Sequence, residues 1–279
     1  MSTEIATFGT LFRTAWDQYK NRAMPLLAVM LISAVVIGGL VLSLVLCATL
    51  GGAILAHITN ERTVAYLVIA LVCVLLLVAT MLVLWSQTAM LALVVHEELG
   101  IIEAFHTGWT YLWPMAWVMT LLSAILLAGF LLGILPGLLF LVWFTFCMYV
   151  LLEEDRRGMD TLLASKEYVR GHWWNTFGKI FVLWLISAVA GFIPFIGQVF
   201  SFLFAPFFML FLLAMYRDLK EVKGVAVVAA GPGSTAFWWT LAVLGMALPL
   251  VVLIAALFAL LSGEQEWLHV PPSMHGKWL

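Results

Sequence analysis

The sequence predicts an all-α integral membrane protein with about seven transmembrane helices. Of its 279 residues, 65% are hydrophobic and 10% are charged, and its mean hydropathy is +1.11. Soluble domains carry about a quarter charged residues, so too few polar residues remain here to cover a water-soluble domain. Runs of about 20 apolar residues, the length that crosses a bilayer, occupy seven ranges: 24–47, 64–86, 113–133, 137–152, 174–193, 197–216 and 237–261.

A repeated unit organises these runs. Gly100 begins the half-polar segment GIIEAFHTGWTYLW, and 58 positions later Gly158 begins the segment GMDTLLASKEYVRGHWW. Each segment leads into an apolar run that ends in a proline, Pro136 or Pro194, where the chain turns into a second apolar run. The pattern predicts, in both cases, an interfacial amphipathic helix followed by a transmembrane hairpin.

The N-terminal residues 3–22 form a weaker copy of this unit. One face carries apolar residues at helical spacing, including Ile5, Phe8, Leu11 and Tyr19, which predicts a helix lying in the headgroup plane. The predicted division of the chain is a first amphipathic helix plus hairpin (1–96), a second unit (97–157), a third unit (158–223), a linker (224–236), an additional C-terminal span (237–262) and an extracytoplasmic tail (263–279).

The basic residues predict the orientation of the chain. With the N-terminus in the cytoplasm, Arg62 and Lys277 fall outside and the other 11 of the 13 lysines and arginines fall inside. Because cytoplasmic loops carry the excess of these cations, we expect a multi-pass protein of the cell (inner) membrane with a cytoplasmic N-terminus and an extracytoplasmic C-terminus. The cations stand beside membrane spans and are interleaved with acids, which argues against nucleic acid as a partner.

Small residues in the two predicted hairpins indicate a close contact between helices. Residues Gly129, Gly133 and Gly137 are four apart in the second unit, and Ser187 and Gly191 occupy equivalent positions in the third. Small residues at this spacing let helix backbones approach closely in lipid. The pattern predicts a packing seam between the two hairpins, with a seam between two copies of the chain as the alternative.

Basic and aromatic residues around the third amphipathic segment are candidates for binding a lipid headgroup. Basic pockets next to membrane spans bind anionic headgroups, and the alternative is that these cations only reflect the orientation of the chain. The candidate residues are Arg156, Arg157, Lys166, Arg170, Lys179, Trp173, Trp174 and Asn175.

Two acidic groups are the remaining candidates for chemistry. Glu103 and His106 have the i, i+3 spacing of a di-iron ligand pair, but such sites need the pair twice and the sequence has it once. The acidic run 153–155 is followed directly by Arg156 and Arg157, which predicts local ion pairs. The spans carry no acidic residue or histidine near their middle, and the chain has no phosphate-binding loop, G-x-S-x-G or H-E-x-x-H motif. We therefore expect no enzyme activity, no metal site and no cofactor.

The region around residues 135–180 has a recognisable order of features: the turn LPG, a short span with an internal Trp, an acidic exit, and then TLLASKEYVRGHWWNTFGKIF. This order resembles the membrane-domain family found fused to glycerophosphoryl diester phosphodiesterases and also standing alone in bacteria. The matching positions are Leu135, Pro136, Gly137, Leu162, Ser165, Val169, Gly171, Trp173, Trp174 and Phe177. The resemblance implies a multi-span module without phosphodiesterase activity, because the hydrolytic residues of the fused enzymes sit in a separate soluble barrel.

These patterns together predict a non-enzymatic membrane protein that works as an assembly or interaction module. Its expected partners are membrane lipids with anionic headgroups and either another protein or a second copy of the chain. The alternative is a carrier or flippase for a lipid or amphiphile, with a groove lined by the small residues of the two hairpins. A third possibility, an intramembrane enzyme, would need Glu98, Glu103, Glu153 and Asp155 to converge on a cavity.

Overall fold

The computed structural model describes residues 5–55, 61–192, 196–224 and 232–268, and these residues form helices, turns and short connections without a β-strand. The helices in chain order are α1 (Phe8–Leu55), α2 (Glu61–Val95), α3 (Ile101–Thr110), α4 (Leu112–Leu132), α5 (Ile134–Trp143), α6 (Cys147–Glu154), α7 (Met159–Val169), α8 (Trp173–Gly191), α9 (Ile196–Lys223) and α10 (Pro232–Leu268).

The prediction of an all-α multi-span membrane protein is confirmed. Within the described residues, seven helical stretches are long and apolar enough to cross a membrane: α1, α2, α4, α5 together with α6, α8, α9 and α10. Large apolar side chains on these helices point outward, as with Val35, Leu77 and Val251, which are 72%, 64% and 64% exposed. An apolar exterior of this kind is typical of a surface that faces lipid.

The N-terminal segment differs from the prediction, because it is the first part of α1 and not a separate helix. The helix runs from Phe8 to Leu55 and passes through Pro25 without a break. A buried stripe that includes Leu11, Ala15 and Leu26 continues on one face across the proline. Packing along this stripe holds the two parts of the helix in line. At about 1.5 Å per residue α1 is roughly 72 Å long, about twice the hydrocarbon thickness of a bilayer.

The second and third amphipathic segments form α3 and α7, which differ in burial. Helix α3 exposes Ile102 and packs through Gly108, whose α-carbon faces the backbone of Ala89 in α2 so closely that a Cβ there would lie 2.8 Å from the Ala89 nitrogen. Helix α7 is enclosed instead, with eight of its 11 residues buried. The sequence predicted a surface helix at this position, and the structure places a packed one.

The chain forms two compact units, and the predicted repeat stays a prediction. Unit 1 comprises residues 1–119 and 142–229, and unit 2 comprises 120–141 and 230–279. In unit 1, α9 packs against α1, α2, α7 and α8. In unit 2, α10 lies directly on α4, since a Cβ at Gly245 would lie 2.0 Å from the carbonyl oxygen of Ala124.

The turn at Pro136 fits the predicted hairpin of the second unit. Helix α5 begins directly after Gly133, which has a φ of +144°, and Pro136 lies in its first turn. Three predicted features lie partly or wholly outside the described residues: the turn at Pro194, the linker 224–236 and the tail 263–279. Helix α10 extends beyond the predicted span at both ends.

Candidate functional site

A network of charged and phenolic groups joins the ends of α6, α7 and α9. Its centre is Glu154, whose Oε1 accepts hydrogen bonds from the hydroxyls of Tyr168 (2.6 Å) and Tyr216 (2.7 Å). The other carboxylate oxygen of Glu154, Oε2, lies 2.8 Å from Nε of Arg156. The ammonium nitrogen of Lys220 lies 3.4 Å from Oε1 of Glu154. Since the Glu154 side chain is 9% exposed, this network holds the three helices together from the inside.

The adjacent carboxylate extends the network to α2. Glu153 pairs with Arg217 (3.3 Å) and Lys220 (3.1 Å) of α9. Arg217 also pairs with Glu97 (3.2 Å) and donates to the carbonyl oxygen of Val95, the last residue of α2. Three carboxylates therefore face three cations in this network, whose residues are Glu97, Glu153, Glu154, Arg156, Arg217 and Lys220. Such internal neutralisation is typical of a structural cluster, not of an anion site.

The acidic run is thereby accounted for by ion pairs. The predicted local pairs are present, Arg156 with Glu154 and Arg157 with Asp155 at 3.4 Å. The partners on α7 and α9 were not predicted. Their sequence signal is Tyr216 and Lys220, one helical turn apart on one face of α9, and only the fold shows that this face meets α6.

The other acidic candidate is a helix cap. The carboxylate of Glu103 accepts a hydrogen bond from the backbone nitrogen of Gly100 at 3.0 Å and closes the first turn of α3. In the described part of the chain, no three histidine, cysteine or acidic side chains come together as metal ligands would.

The predicted headgroup residues fall into separate environments. Arg156 belongs to the Glu154 network, with a side chain 24% exposed. Lys179 is 8% exposed and donates to the carbonyl oxygen of Ala6 at 2.8 Å, while the Ala6 nitrogen donates to Asp218. The Lys179 ammonium therefore ties the N-terminal segment to α8. Arg157 stays at the surface beside Asp155.

The remaining candidates lie at the corner between α7 and α8: Lys166, Arg170, Trp173, Trp174 and Asn175. Together with Gly171, His172 and Lys223, which were not predicted, they form what we call the basic corner. The chain reverses at Gly171, whose φ of +85° favours glycine. Lys223 of α9 donates to the carbonyl oxygens of Glu167 and Arg170 at the end of α7. Arg170 is 73% exposed and Trp174 is 79% exposed, so both are accessible.

The electrostatics of the basic corner are positive. Burial lowers the pKa of His172, and the charges of Lys223 and Lys179 lower it further. The pKa of Lys166 is lowered by burial and then by the charge of Arg170, and its ammonium lies 5.3 Å from the centre of the Trp143 ring. The corner also contains the N-terminus of α8, whose first backbone N–H groups favour an anion.

The aromatic residues of the corner form a stacked group. The ring of Trp173 lies parallel to that of Phe177 at 5.1 Å and edge-on to that of Trp174 at 4.7 Å. Trp173 is half-buried, whereas Trp174 and Asn175 are exposed. The stack holds Trp174 outward at the start of a membrane span, the position where tryptophan meets the headgroup level.

The predicted seam residues contact their own hairpins. A Cβ at Gly129 would lie 2.5 Å from the Phe140 ring, and one at Gly137 would lie 2.4 Å from the Phe130 ring. In the third unit, a Cβ at Gly197 would lie 2.8 Å from the Gly191 carbonyl oxygen. Because Gly129 and Gly133 belong to unit 2 whereas Ser187 and Gly191 belong to unit 1, the seam between the hairpins stays a prediction.

A cavity of about 220 Å³ lies between α1, α2 and α9 of unit 1. Its lining includes Met30, Ser33, Ser86, Gln87 and Met209. No pattern in the sequence marks these residues as a site, because they belong to three spans that are far apart along the chain. This cavity is not the predicted groove, because none of the small residues Gly129, Gly133, Ser187 and Gly191 lines it.

The chain was compared with protein-family models, curated proteins and solved structures, and nothing matches it.

Proposed function

We propose that this multi-span membrane protein binds anionic lipid headgroups at the basic corner, as a non-enzymatic lipid-engaging module of the inner membrane. One observation carries the proposal: the exposed Arg170, the neighbouring Lys223 and the outward Trp174 coincide where α8 begins. The orientation inferred from the basic residues puts this corner at the cytoplasmic leaflet, whose anionic lipids attract such groups.

Two features of the corner support headgroup binding over a purely structural role. The Glu154 network uses its cations internally, whereas Arg170 is 73% exposed and its ion pair with Glu167 is long, at 3.5 Å. Exposed pairs of this kind contribute little to stability, so a phosphate can displace the Glu167 carboxylate at small cost. Arginine and the α8 N-terminus together offer several N–H donors to phosphate oxygens.

The test compares anionic lipid bound by the wild type and by an Arg170→Gln, Lys166→Gln double variant. Each cation near a membrane surface contributes about 1 kcal/mol, so losing two should weaken binding of phosphatidylglycerol by roughly 30-fold. Native mass spectrometry of protein in mild detergent, titrated with phosphatidylglycerol or phosphatidylcholine, measures the binding.

The matched control is Arg157→Gln with Lys20→Gln, which also removes two cations. Both side chains are more than half exposed and both pair with a nearby aspartate. This variant should bind phosphatidylglycerol like the wild type. Equal binding by all three proteins would refute the proposal, and equal weakening in the two double variants would reduce it to net charge alone.

A carrier for a lipid or amphiphile is the second candidate. The cavity between α1, α2 and α9 favours it, since a tightly packed bundle would leave no space for a passenger. Transport of a fluorescent lipid across the bilayer of reconstituted vesicles tests this function. Membership in the membrane-domain family that residues 135–180 resemble is also a proposal, and it is compatible with both functions.

A further inference from the structure

The cavity of unit 1 lies deep in the apolar part of three spans. Met30 is eight residues from Arg22 in α1, and Met209 is eight residues from Arg217 in α9. At 1.5 Å per residue, the cavity is therefore about 12 Å from the level of these two cations. Half of the hydrocarbon thickness is about 15 Å, so the cavity lies near the middle of the bilayer.

Buried side chains separate the cavity from the charged residues. Leu26 of α1, Val94 of α2 and Leu213 of α9 lie between the two levels and are 0%, 0% and 1% exposed. Farther from the cavity, at the level of the charged residues, Arg217 pairs with Glu97. A ligand therefore enters from the lipid and not from the water at this end of the unit.

The polar lining of the cavity is incompletely paired. Ser86 is 7% exposed, and neither it nor the amide of Gln87 forms a hydrogen bond to another residue that the structure describes. The third polar lining residue, Ser33, is paired, because its hydroxyl donates to the carbonyl oxygen of Val29. Hydroxyls elsewhere in the spans bond in the same way to the carbonyl oxygen four residues earlier, as in Ser43, Thr49, Thr80, Thr88 and Thr240. An unpaired amide and hydroxyl are costly in hydrocarbon, and a ligand with an acceptor atom would relieve that cost.

The remaining lining limits the ligand class. All the lining residues are neutral, so a carboxylate or phosphate would have no counter-charge in the cavity. A saturated lipid tail would leave Ser86 and Gln87 unpaired. Three methionines, Met30, Met90 and Met209, line the space, and their flexible, polarisable side chains can pack against a flat ring. The volume exceeds that of an engineered cavity of about 150 Å³ that holds benzene.

The geometry points to a binding site for a neutral lipid with a carbonyl-bearing ring, of the isoprenoid quinone class. The ring occupies the space between the methionines, one carbonyl oxygen accepts hydrogen bonds from Ser86 and Gln87, and the tail extends into the bilayer. The inference goes beyond headgroup binding and does not depend on the basic corner or on transport.

The experiment measures binding of a benzoquinone with one isoprene unit by titration calorimetry in detergent. Ser86→Ala removes one donor and should weaken binding about fivefold. Ala34→Phe fills the space and should abolish binding. The control Ser43→Ala removes a hydroxyl that bonds within α1 at 2.8 Å, away from the cavity lining, and should bind like the wild type.

Gln87→Leu is a second variant at an exposed position, so it keeps the test usable if Ala34→Phe fails to fold. It should also weaken binding severalfold. Identical heats for the wild type, Ser86→Ala and Gln87→Leu would show that the quinone only partitions into the detergent micelles. That result would overturn the proposal. Displacement of the quinone by dodecanol at comparable concentration would overturn the ligand class. The Arg170→Gln, Lys166→Gln variant should bind the quinone normally, which separates this result from the headgroup proposal.

Discussion

Replacing Ser165 with alanine tests how the break between α5 and α6 is held together. The span from Ile134 to Glu154 is interrupted between α5 and α6, where the backbone leaves the helical hydrogen-bond pattern. Ser165 of α7 bridges the break: its Oγ donates to the carbonyl oxygen of Trp143 at 2.8 Å and accepts from the Phe146 nitrogen at 3.2 Å. One hydroxyl therefore serves both sides of the interruption.

The cost of the substitution follows from burial. Ser165 and Phe146 are both 0% exposed, so water cannot replace the lost hydroxyl. Leaving a buried N–H group without a partner costs about 1–3 kcal/mol. Alanine keeps the Cβ and leaves little empty space, so the cavity contribution is small. We expect Ser165→Ala to lower the free energy of unfolding by about 2 kcal/mol.

The assay is reversible unfolding in mixed micelles, with the SDS mole fraction as the denaturant and tryptophan fluorescence as the signal. Ser43→Ala is the control, because its hydroxyl bonds to Gly39 at 2.8 Å within one exposed helix. Its loss should change the free energy of unfolding by less than about 0.5 kcal/mol. Equal effects of Ser165→Ala and Ser43→Ala would show that the bridge at the break contributes nothing and would refute the reasoning.

Two further predictions concern α3 and the basic corner. In the same assay, Gly108→Ala should lower the free energy of unfolding by about 1–3 kcal/mol, because its Cβ would lie 2.8 Å from the Ala89 backbone. A Cβ at Gly178 would meet no atom within 4 Å, so Gly178→Ala should leave the free energy of unfolding unchanged or raise it by up to about 1 kcal/mol. A larger loss of stability from Gly178→Ala than from Gly108→Ala would contradict the close contact between α2 and α3. Lys223→Met should raise the pKa of His172, measured by NMR, although burial keeps that pKa below its ordinary value. Because folding lowers this pKa, stability falls as the pH drops through the ordinary histidine range, and the variant should lose part of that dependence. An unchanged pKa would contradict the positive corner.

The spans could be predicted because their signal is local. A run of about 20 apolar residues must cross the bilayer as a helix, whatever its neighbours are. The turn at Pro136 is local as well, since a proline starts a helix readily and Gly133 supplies the positive φ before it. The sequence therefore predicts where helices lie along the chain better than which face of each helix is buried.

The differences arise where a distant segment decides the outcome. The N-terminal segment continues into α1 because its rings pack on two phenylalanines about 200 positions away in the chain. The ring centres of Phe8 and Phe211 are 5.4 Å apart, and those of Phe12 and Phe207 are 5.0 Å apart. Helix α7 has the amphipathic pattern of a surface helix but is enclosed, because its packing partners include α6 and α9. Amphipathicity shows that one face is apolar, and it does not show whether lipid or protein covers that face.

The same distinction separates the basic residues. Lys179 and Arg170 are nine positions apart and identical in sign, yet Lys179 is 8% exposed and bonded to Ala6, whereas Arg170 extends into solvent. A count of positive charge assigns both to the membrane surface. The two cations differ because the fold brings a backbone acceptor of the N-terminal segment, the carbonyl oxygen of Ala6, next to Lys179. Arg170 is exposed and its ion pair with Glu167 is long, so it can bind a headgroup at a smaller cost than the enclosed cations of the Glu154 network. This difference favours the corner between α7 and α8 as the candidate site.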